Sequence, residues 1–318
     1  MQYFILLILG FAVLVVGGEF LVKGAVGIAR NLEISPLVIG MTVVSFATSA
    51  PELFVSLQAV LNGSNDIAFG NVIGSNIANI TLVLGVTALI FRVKISDQTA
   101  TLNYPVLLLA SLIFGAVMFY FNGIPQEVGF LFIILLLLFS WLLISNSRKE
   151  NLKSPPDEDE FLEEASQDSL FKSLVFLIAG ILVLKFGADY LVDGTIAIAK
   201  KFEISERVIA VTVVAIGTSI PELATSIVAA LKKEHNLAVG NLIGSNIFNI
   251  LFILGISSLI KPLPFQIISN LDILVMTGAT LLVVLSVAIG RKNNINRISG
   301  GVFILGYICY IIFLIFRG

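Results

Sequence analysis

Ten apolar stretches, most of them about 20 residues or longer, follow one another along this chain with only short polar breaks between them. They lie near residues 3–29, 36–61, 67–91, 102–121, 125–146, 171–199, 206–231, 237–260, 267–290 and 299–316. A helix that crosses a bilayer needs about that length, so the pattern predicts an all-α integral membrane protein with ten transmembrane helices. The composition agrees, with 57% hydrophobic residues, 13% charged residues and a mean hydropathy of +1.02.

The net charge of −2 says little about partners, because the acidic residues concentrate in one segment and no basic face is available for nucleic acid. The single cysteine, Cys309, excludes an intrachain disulfide and a thiolate cluster and reads as an inert core thiol. Trp141 reads as an interfacial anchor. The first apolar stretch lacks a basic start and is longer than a signal-peptide core, so it reads as a retained span.

The polar, proline-containing segment SNSRKENLKSPPDEDEFLEEASQDS, residues 145–169, separates the first five stretches from the last five. It reads as a flexible linker, and DEDEFLEE lacks the glycine and ligand spacing of an EF-hand loop. The expected division is a first five-helix repeat at 1–147, an acidic linker at 148–169 and a second repeat at 170–318. With the amino terminus outside, eleven Lys and Arg residues fall in inner loops and five in outer ones. The positive-inside rule then predicts both termini outside and a cytoplasmic linker.

Residues 36–80 and 206–250 align without a gap at an offset of 170, with 23 of 45 positions identical. Each half has five spans, an odd number, so the second half enters the membrane in the opposite sense. This is an inverted repeat, an architecture of transporters. The identity is sharpest in TSxPEL, at 48–53 and 218–223, and in GNxIGSNIxN, at 70–79 and 240–249.

A proline followed by a glutamate is costly inside an apolar helix. Pro51 and Pro221 lack an N–H and crowd the carbonyls of Ala47 and Gly217, so each helix should bend and free backbone oxygens. In lipid such oxygens must line a cavity or meet a ligand. Thr48, Ser49 and Glu52 lie within about one turn of the first break, and Thr218, Ser219 and Glu222 within one turn of the second. Ser75 and Asn79 share a helical face, as do Ser245 and Asn249. If the halves pack face to face, the two glutamates meet among hydroxyl, amide and carbonyl oxygens, the ligands of hard cations such as Ca2+.

A lone Ser, Thr or Asn in a membrane helix is more often interhelical glue, and a lone proline more often a kink. A glutamate in mid-span is different, since inserting a charge there costs roughly 2.5–3.5 kcal/mol. Two glutamates at repeat-related positions, each beside a break, point to function. Glu19 with Lys23 and Lys185 with Asp189 are spaced to pair along their own helices. Asp193 has no such basic partner and lies near the outer end of its span.

The two motif blocks resemble the α-repeats of the calcium/cation antiporter superfamily, and in particular the prokaryotic sodium/calcium exchangers. The resemblance spans essentially the whole chain and implies alternating access in the plasma membrane. It implies no catalytic activity and no cofactor, with Na+ and Ca2+ as transported ions and no obligatory protein partner. By resemblance Glu52 and Glu222 are the principal ligands, joined by Thr48, Ser49, Ser75, Asn79, Thr218, Ser219 and Ser245 and by the backbone carbonyls of Ser45 and Ala215. Asn249 stands where some relatives carry an aspartate, so the implied site has two carboxylates. Proton-coupled members typically carry a GNxxE-type motif in place of TSxPE, which favours sodium as the coupling ion here.

Family resemblance further implies three Na+ exchanged for one Ca2+. With both glutamates ionised, one Ca2+ neutralises the site and three Na+ leave it at +1. A proton-coupled Ca2+ exchanger on the same fold is the nearest alternative. A passive channel fits broken inverted repeats less well. A metalloenzyme lacks an HExxH motif, and the sole histidine, His235, is in a loop.

Overall fold

The computed structural model describes residues 2–91, 93–96, 99–151, 168–201, 215–264, 270–289 and 294–317. The first half consists of α1 (Gln2–Asn31), the short helices α2 (Pro36–Ile39) and α3 (Ser45–Thr48), α4 (Ala50–Leu61), α5 (Asn65–Ala78), α6 (Leu84–Ile90), α7 (Tyr104–Phe121) and α8 (Gln126–Asn151). The second half has α9 (Leu170–Lys201), α10 (Ala215–Gly217), α11 (Ile220–Leu231), α12 (His235–Phe248), α13 (Leu254–Ile260), α14 (Asn270–Ile289) and α15 (Arg297–Arg317). Helices dominate because in lipid each N–H and C=O must be satisfied within its own segment.

Among the described residues, eight helices are long and apolar enough to cross a membrane. A ninth span is the pair Pro36–Thr48 and Ala50–Leu61, which meet at 46°. The tenth expected span, 206–231, lies partly outside the described residues, and its described end is α10 and α11. Most of the expected linker is likewise outside them, although α8 continues to Asn151 and takes in its first residues.

The duplication is visible in the backbone. Wide π-helical turns begin at Asn79 and at Asn249, 170 residues apart, and join α5 to α6 and α12 to α13. Both α4 and α11 end in the same cap. Ser64 N–H donates to Ala59 O and Gly63 N–H to Val60 O, and Glu234 and Lys233 repeat these bonds to Ala229 and Ala230. The cap residue is left-handed in each half, Gly63 at φ 78° and Lys233 at φ 64°. Four two-residue strands pair across the halves, β1 (Val93–Lys94) with β4 (Asn294–Ile295) and β2 (Gly123–Ile124) with β3 (Leu263–Pro264), both antiparallel.

α1 and α9 lie against each other through small residues. A Cβ on Gly17 would sit 2.7 Å from Leu184 N, and one on Gly187 would sit 2.8 Å from Leu14 N, which is the same contact carried over to the other half. The molecular centre belongs to α5–α6 and α12–α13, whose spans are 72% and 78% buried against 17–33% for the spans through α7, α8, α9, α14 and α15. The GNxIGSNIxN blocks therefore form the core, and the less buried spans form the outer ring.

Three expectations change. His235, expected in a loop, is the first residue of α12. Glu19 and Lys23 do not pair with each other: Glu19 lies 3.9 Å from Lys232 on the neighbouring helix end, and Lys23 lies 3.8 Å from Asp168 at the start of α9. Long side chains on a helix surface reach adjacent helices as readily as their own. Cys309 is exposed on the outer surface rather than in the core. Trp141 is also exposed there, and Lys185 does pair with Asp189, at 3.5 Å.

Candidate functional site

Each broken span restarts as a fresh helix. Ser49 (φ −83°, ψ 8°) and Ser219 (φ −87°, ψ 3°) precede α4 and α11, and the prolines occupy the first turn, where a missing N–H is tolerated. Glu52 and Glu222 stand in the same first turns, where unpaired backbone N–H groups and the helix dipole favour negative charge.

The halves are drawn together by glycine. Gly40 packs on Gly240, and a Cβ on Gly40 would lie 2.6 Å from Leu237 O. Ser45 Oγ donates to Gly40 O at 2.6 Å and to Asn241 O at 3.0 Å, tying the first broken span to α12. The Ser45 carbonyl accepts the Ser49 N–H at 3.0 Å and lies 3.5 Å from the Thr48 hydroxyl. In the other half the Ser219 N–H donates to Ile216 O at 3.0 Å. Ala215 opens α10, and its side chain lies outside the described residues.

Both carboxylates are fully buried. Glu222 Oε1 accepts from Ser49 Oγ at 3.3 Å and from Ser245 Oγ at 3.5 Å, while Oε2 has no partner. Neither oxygen of Glu52 has a hydrogen-bond partner, and Thr218, Ser75 and Glu222 are its neighbours. Ser75 and Thr218 hydroxyls are 3.3 Å apart, and Thr48 Oγ1 lies 3.4 Å from Ser245 Oγ. The expected residues Thr48, Ser49, Glu222 and Ser245 thus form one cluster, and Glu52, Ser75 and Thr218 a second, each drawing on both halves. Ser219 Oγ is buried without a partner. Both side-chain atoms of Asn79 are buried without a partner, while Asn249 Nδ2 donates to Asn76 Oδ1 at 2.9 Å.

Beside these clusters is a cavity of about 660 Å³, lined by Thr48, Pro51, Thr218 and Pro221 from the broken spans and by Asp189 and Asp193 from α9. It leads to hydroxyls of both clusters.

Asn241 and Asn71 act as struts outside the expected ligand set. Asn241 Oδ1 accepts from Thr48 Oγ1 at 3.1 Å and its Nδ2 donates to Ser226 Oγ at 3.5 Å. Asn71 Nδ2 donates to the Glu52 carbonyl and to Ser56 Oγ, each at 3.0 Å. Ser56 and Ser226 are fully buried. Their signal in the sequence is repeat identity, since 56 and 226 carry serine and 71 and 241 asparagine at the same offset.

Among the described residues no group of three or more His, Cys, Asp or Glu converges. Two carboxylates among neutral oxygens suit a hard cation and not a soft metal. Broken helices that carry such a site inside a duplicated helical bundle define an ion-transporting membrane protein of the antiporter kind.

The chain belongs to the sodium/calcium exchanger protein family, whose model matches residues 2–145 and 172–316. It is 30% identical over 346 aligned positions to the sodium/calcium exchanger MaX1 of Methanosarcina acetivorans, covering 98% of each chain. A solved structure of the sodium-calcium exchanger NCX_Mj superposes with a TM-score of 0.81 at 33% identity, covering 97% of each chain. A more distant likeness, 24% over 277 residues, is to the Ca2+/H+ antiporter ChaA of Bacillus subtilis, with 82% of this chain and 78% of that one covered.

Proposed function

We propose that this protein is a Na+/Ca2+ antiporter of the plasma membrane that works by alternating access, electrogenically, with about three Na+ entering for each Ca2+ expelled. The observation that carries the reading is the pair of fully buried carboxylates, Glu52 and Glu222, neighbouring each other among uncharged oxygens with three of their four oxygen atoms unpartnered. Such a pair is intolerable in lipid unless cations share it. Glu52, Glu222, Thr48, Ser49, Ser75, Asn79, Thr218, Ser219, Ser245 and Asn249 are the side-chain ligands in this reading, with the carbonyls of Ser45 and Ala215.

Coupling requires that the transporter reorient only with the site suitably filled. Two ionised glutamates are neutralised by one Ca2+ and overbalanced by three Na+, so one net charge moves per cycle, worth about 2.3 kcal/mol per 100 mV. The family model's two matches, 2–145 and 172–316, support the division into two five-helix repeats with a linker between them. The charge distribution of the loops supports a cytoplasmic linker and external termini.

The test is 45Ca2+ uptake into proteoliposomes loaded with Na+, against K+ or choline at matched pH. Uptake should require internal Na+ and quicken when the interior is made positive, because net positive charge leaves with the Na+. Uptake that needs Na+ but ignores voltage makes the exchange electroneutral. The likeness to ChaA raises a second reading, proton coupling. Uptake indifferent to Na+ and driven by a pH gradient would establish it.

A further inference from the structure

Four asparagines meet near the middle of the molecule, Asn76 and Asn79 from the first half and their repeat mates Asn246 and Asn249 from the second. All are at most 1% exposed. Their bonds do not follow the repeat. Asn76 Nδ2 donates to the backbone carbonyl of Asn246 at 3.2 Å and lies 3.7 Å from Met276 Sδ. Asn76 Oδ1 accepts from Asn249 Nδ2 at 2.9 Å. On the other side, Asn246 Nδ2 donates to Leu242 O of its own helix at 2.6 Å, and neither side-chain atom of Asn79 has a partner.

The direction of this chain is forced at its start. A backbone carbonyl only accepts, so the nitrogen end of Asn76 must face it. The oxygen end then faces Asn249, which must answer with its nitrogen. Reversing either amide would set oxygen against oxygen. What remains is Asn249 Oδ1, buried with no donor. That atom is an acceptor, and a buried acceptor left without a donor is suited to a cation.

We propose that Asn76 is a positioning residue for the ion site: the Asn246 carbonyl, acting through the Asn76 amide, holds Asn249 so that its oxygen and not its nitrogen is offered to the bound cation. This rests on the exchanger reading above. An amide nitrogen is a donor and would repel a cation, so the relay decides whether position 249 is a ligand at all. It also explains an amide there, since an aspartate would oppose a carboxylate oxygen to Asn76 Oδ1. Asn79 carries no such constraint.

The test uses the full chain in proteoliposomes, reading the Ca2+ KM of Na+-driven uptake, with the Ca2+-induced rise in melting temperature of purified protein as a second reading. Asn76→Ala and Asn249→Ala should each raise KM about tenfold, the usual scale for a residue that supports a metal ligand. The double variant should be no worse than Asn249→Ala alone, because the relay has one output. Asn76→Ala combined with Asn79→Ala should instead multiply the two single losses.

Losses that multiply for Asn76 and Asn249, or a KM within twofold of wild type for Asn76→Ala, overturn the proposal. Should Asn76→Ala not fold, Asn249→Asp against Asn79→Asp decides: the former should lose about tenfold more Ca2+ affinity, and equal losses refute the relay. Glu52→Gln separates the two layers. Unchanged uptake in that variant removes the exchanger site itself, whereas abolished uptake beside a neutral Asn76→Ala removes the relay alone.

Discussion

Glu52 and Glu222 occupy the same place in two copies of one motif, on breaks whose serines differ by only a few degrees in φ and ψ. Their surroundings are nevertheless unlike. Glu222 receives hydroxyl hydrogens from Ser49 and Ser245, while Glu52 receives none. The mates of those donors behave differently, Ser219 Oγ having no partner and Ser75 facing Thr218. A duplicated sequence therefore repeats the backbone, and the side chains settle into an unequal pair. The physical reason is that each hydroxyl carries a single hydrogen: Ser49 and Ser245 direct theirs to Glu222 Oε1, while the Ser75 and Thr218 hydroxyls beside Glu52 face each other.

The largest expected effect is at the carboxylates themselves. Glu52→Gln and Glu222→Gln should each cut Na+-driven Ca2+ uptake by about 100-fold or more, since loss of a group that merely supports a metal ligand already costs about 10–100-fold. Glu52→Gln should be the more severe, because the Ser75 and Thr218 hydroxyls beside that carboxylate face each other and leave both of its oxygens to the cation. Equal losses in flux assays would erase the inequality between the halves.

Steric probes of the junction should treat the halves alike. Gly40→Ala and Gly240→Ala place a methyl against Leu237 O and Leu37 O respectively, so each should destabilise the protein by about 1–3 kcal/mol, read by thermal unfolding. A large difference between them would show that the glycine contact is not shared. Smaller effects separate the serines. Ser219→Ala removes an unengaged oxygen and should weaken Ca2+ binding about tenfold, whereas Ser49→Ala removes a hydroxyl already shared with Glu222 and should cost a few-fold, by calorimetric titration.

The left-handed caps offer a reciprocal exchange. Lys233→Gly should stabilise by up to about 1 kcal/mol and Gly63→Lys should destabilise by a similar amount, because only glycine takes positive φ freely. The smallest effect concerns Asp168, which has no counterpart in the first half. Its carboxyl is held below the ordinary aspartate range by the hydrogen bond from Lys172 and by the charges of Lys172 and Lys23. A depressed carboxyl stabilises the fold above its unfolded pKa, and that contribution is lost as pH falls through the lower folded value. Melting curves taken down through pH 4 and below should show the loss in wild type and not in Asp168→Asn, and added salt should shrink it.

Much of this was legible in the residues. The apolar stretches announced membrane helices, the offset of 170 announced the duplication, and TSxPEL announced two broken spans with a glutamate in each. Ion-pair partners were less legible: Glu19 finds Lys232 and Lys23 finds Asp168, because spacing along one helix says nothing of which neighbour comes within reach. Cys309 followed the same logic, since an apolar span does not reveal which of its faces meets lipid.

By itself the sequence determined the helical membrane class, the repeat, the breaks and the oxygen-rich chemistry of the site, because hydrophobic length, proline geometry and residue type act locally and survive any packing. Only the tertiary structure decided that Glu52 and Glu222 are unequal, that Asn71 and Asn241 are struts, and that Asn249 points its amide one way. Those are choices among hydrogen-bond partners more than a hundred residues apart or on facing helices, and such a choice exists only once the two halves have been brought together.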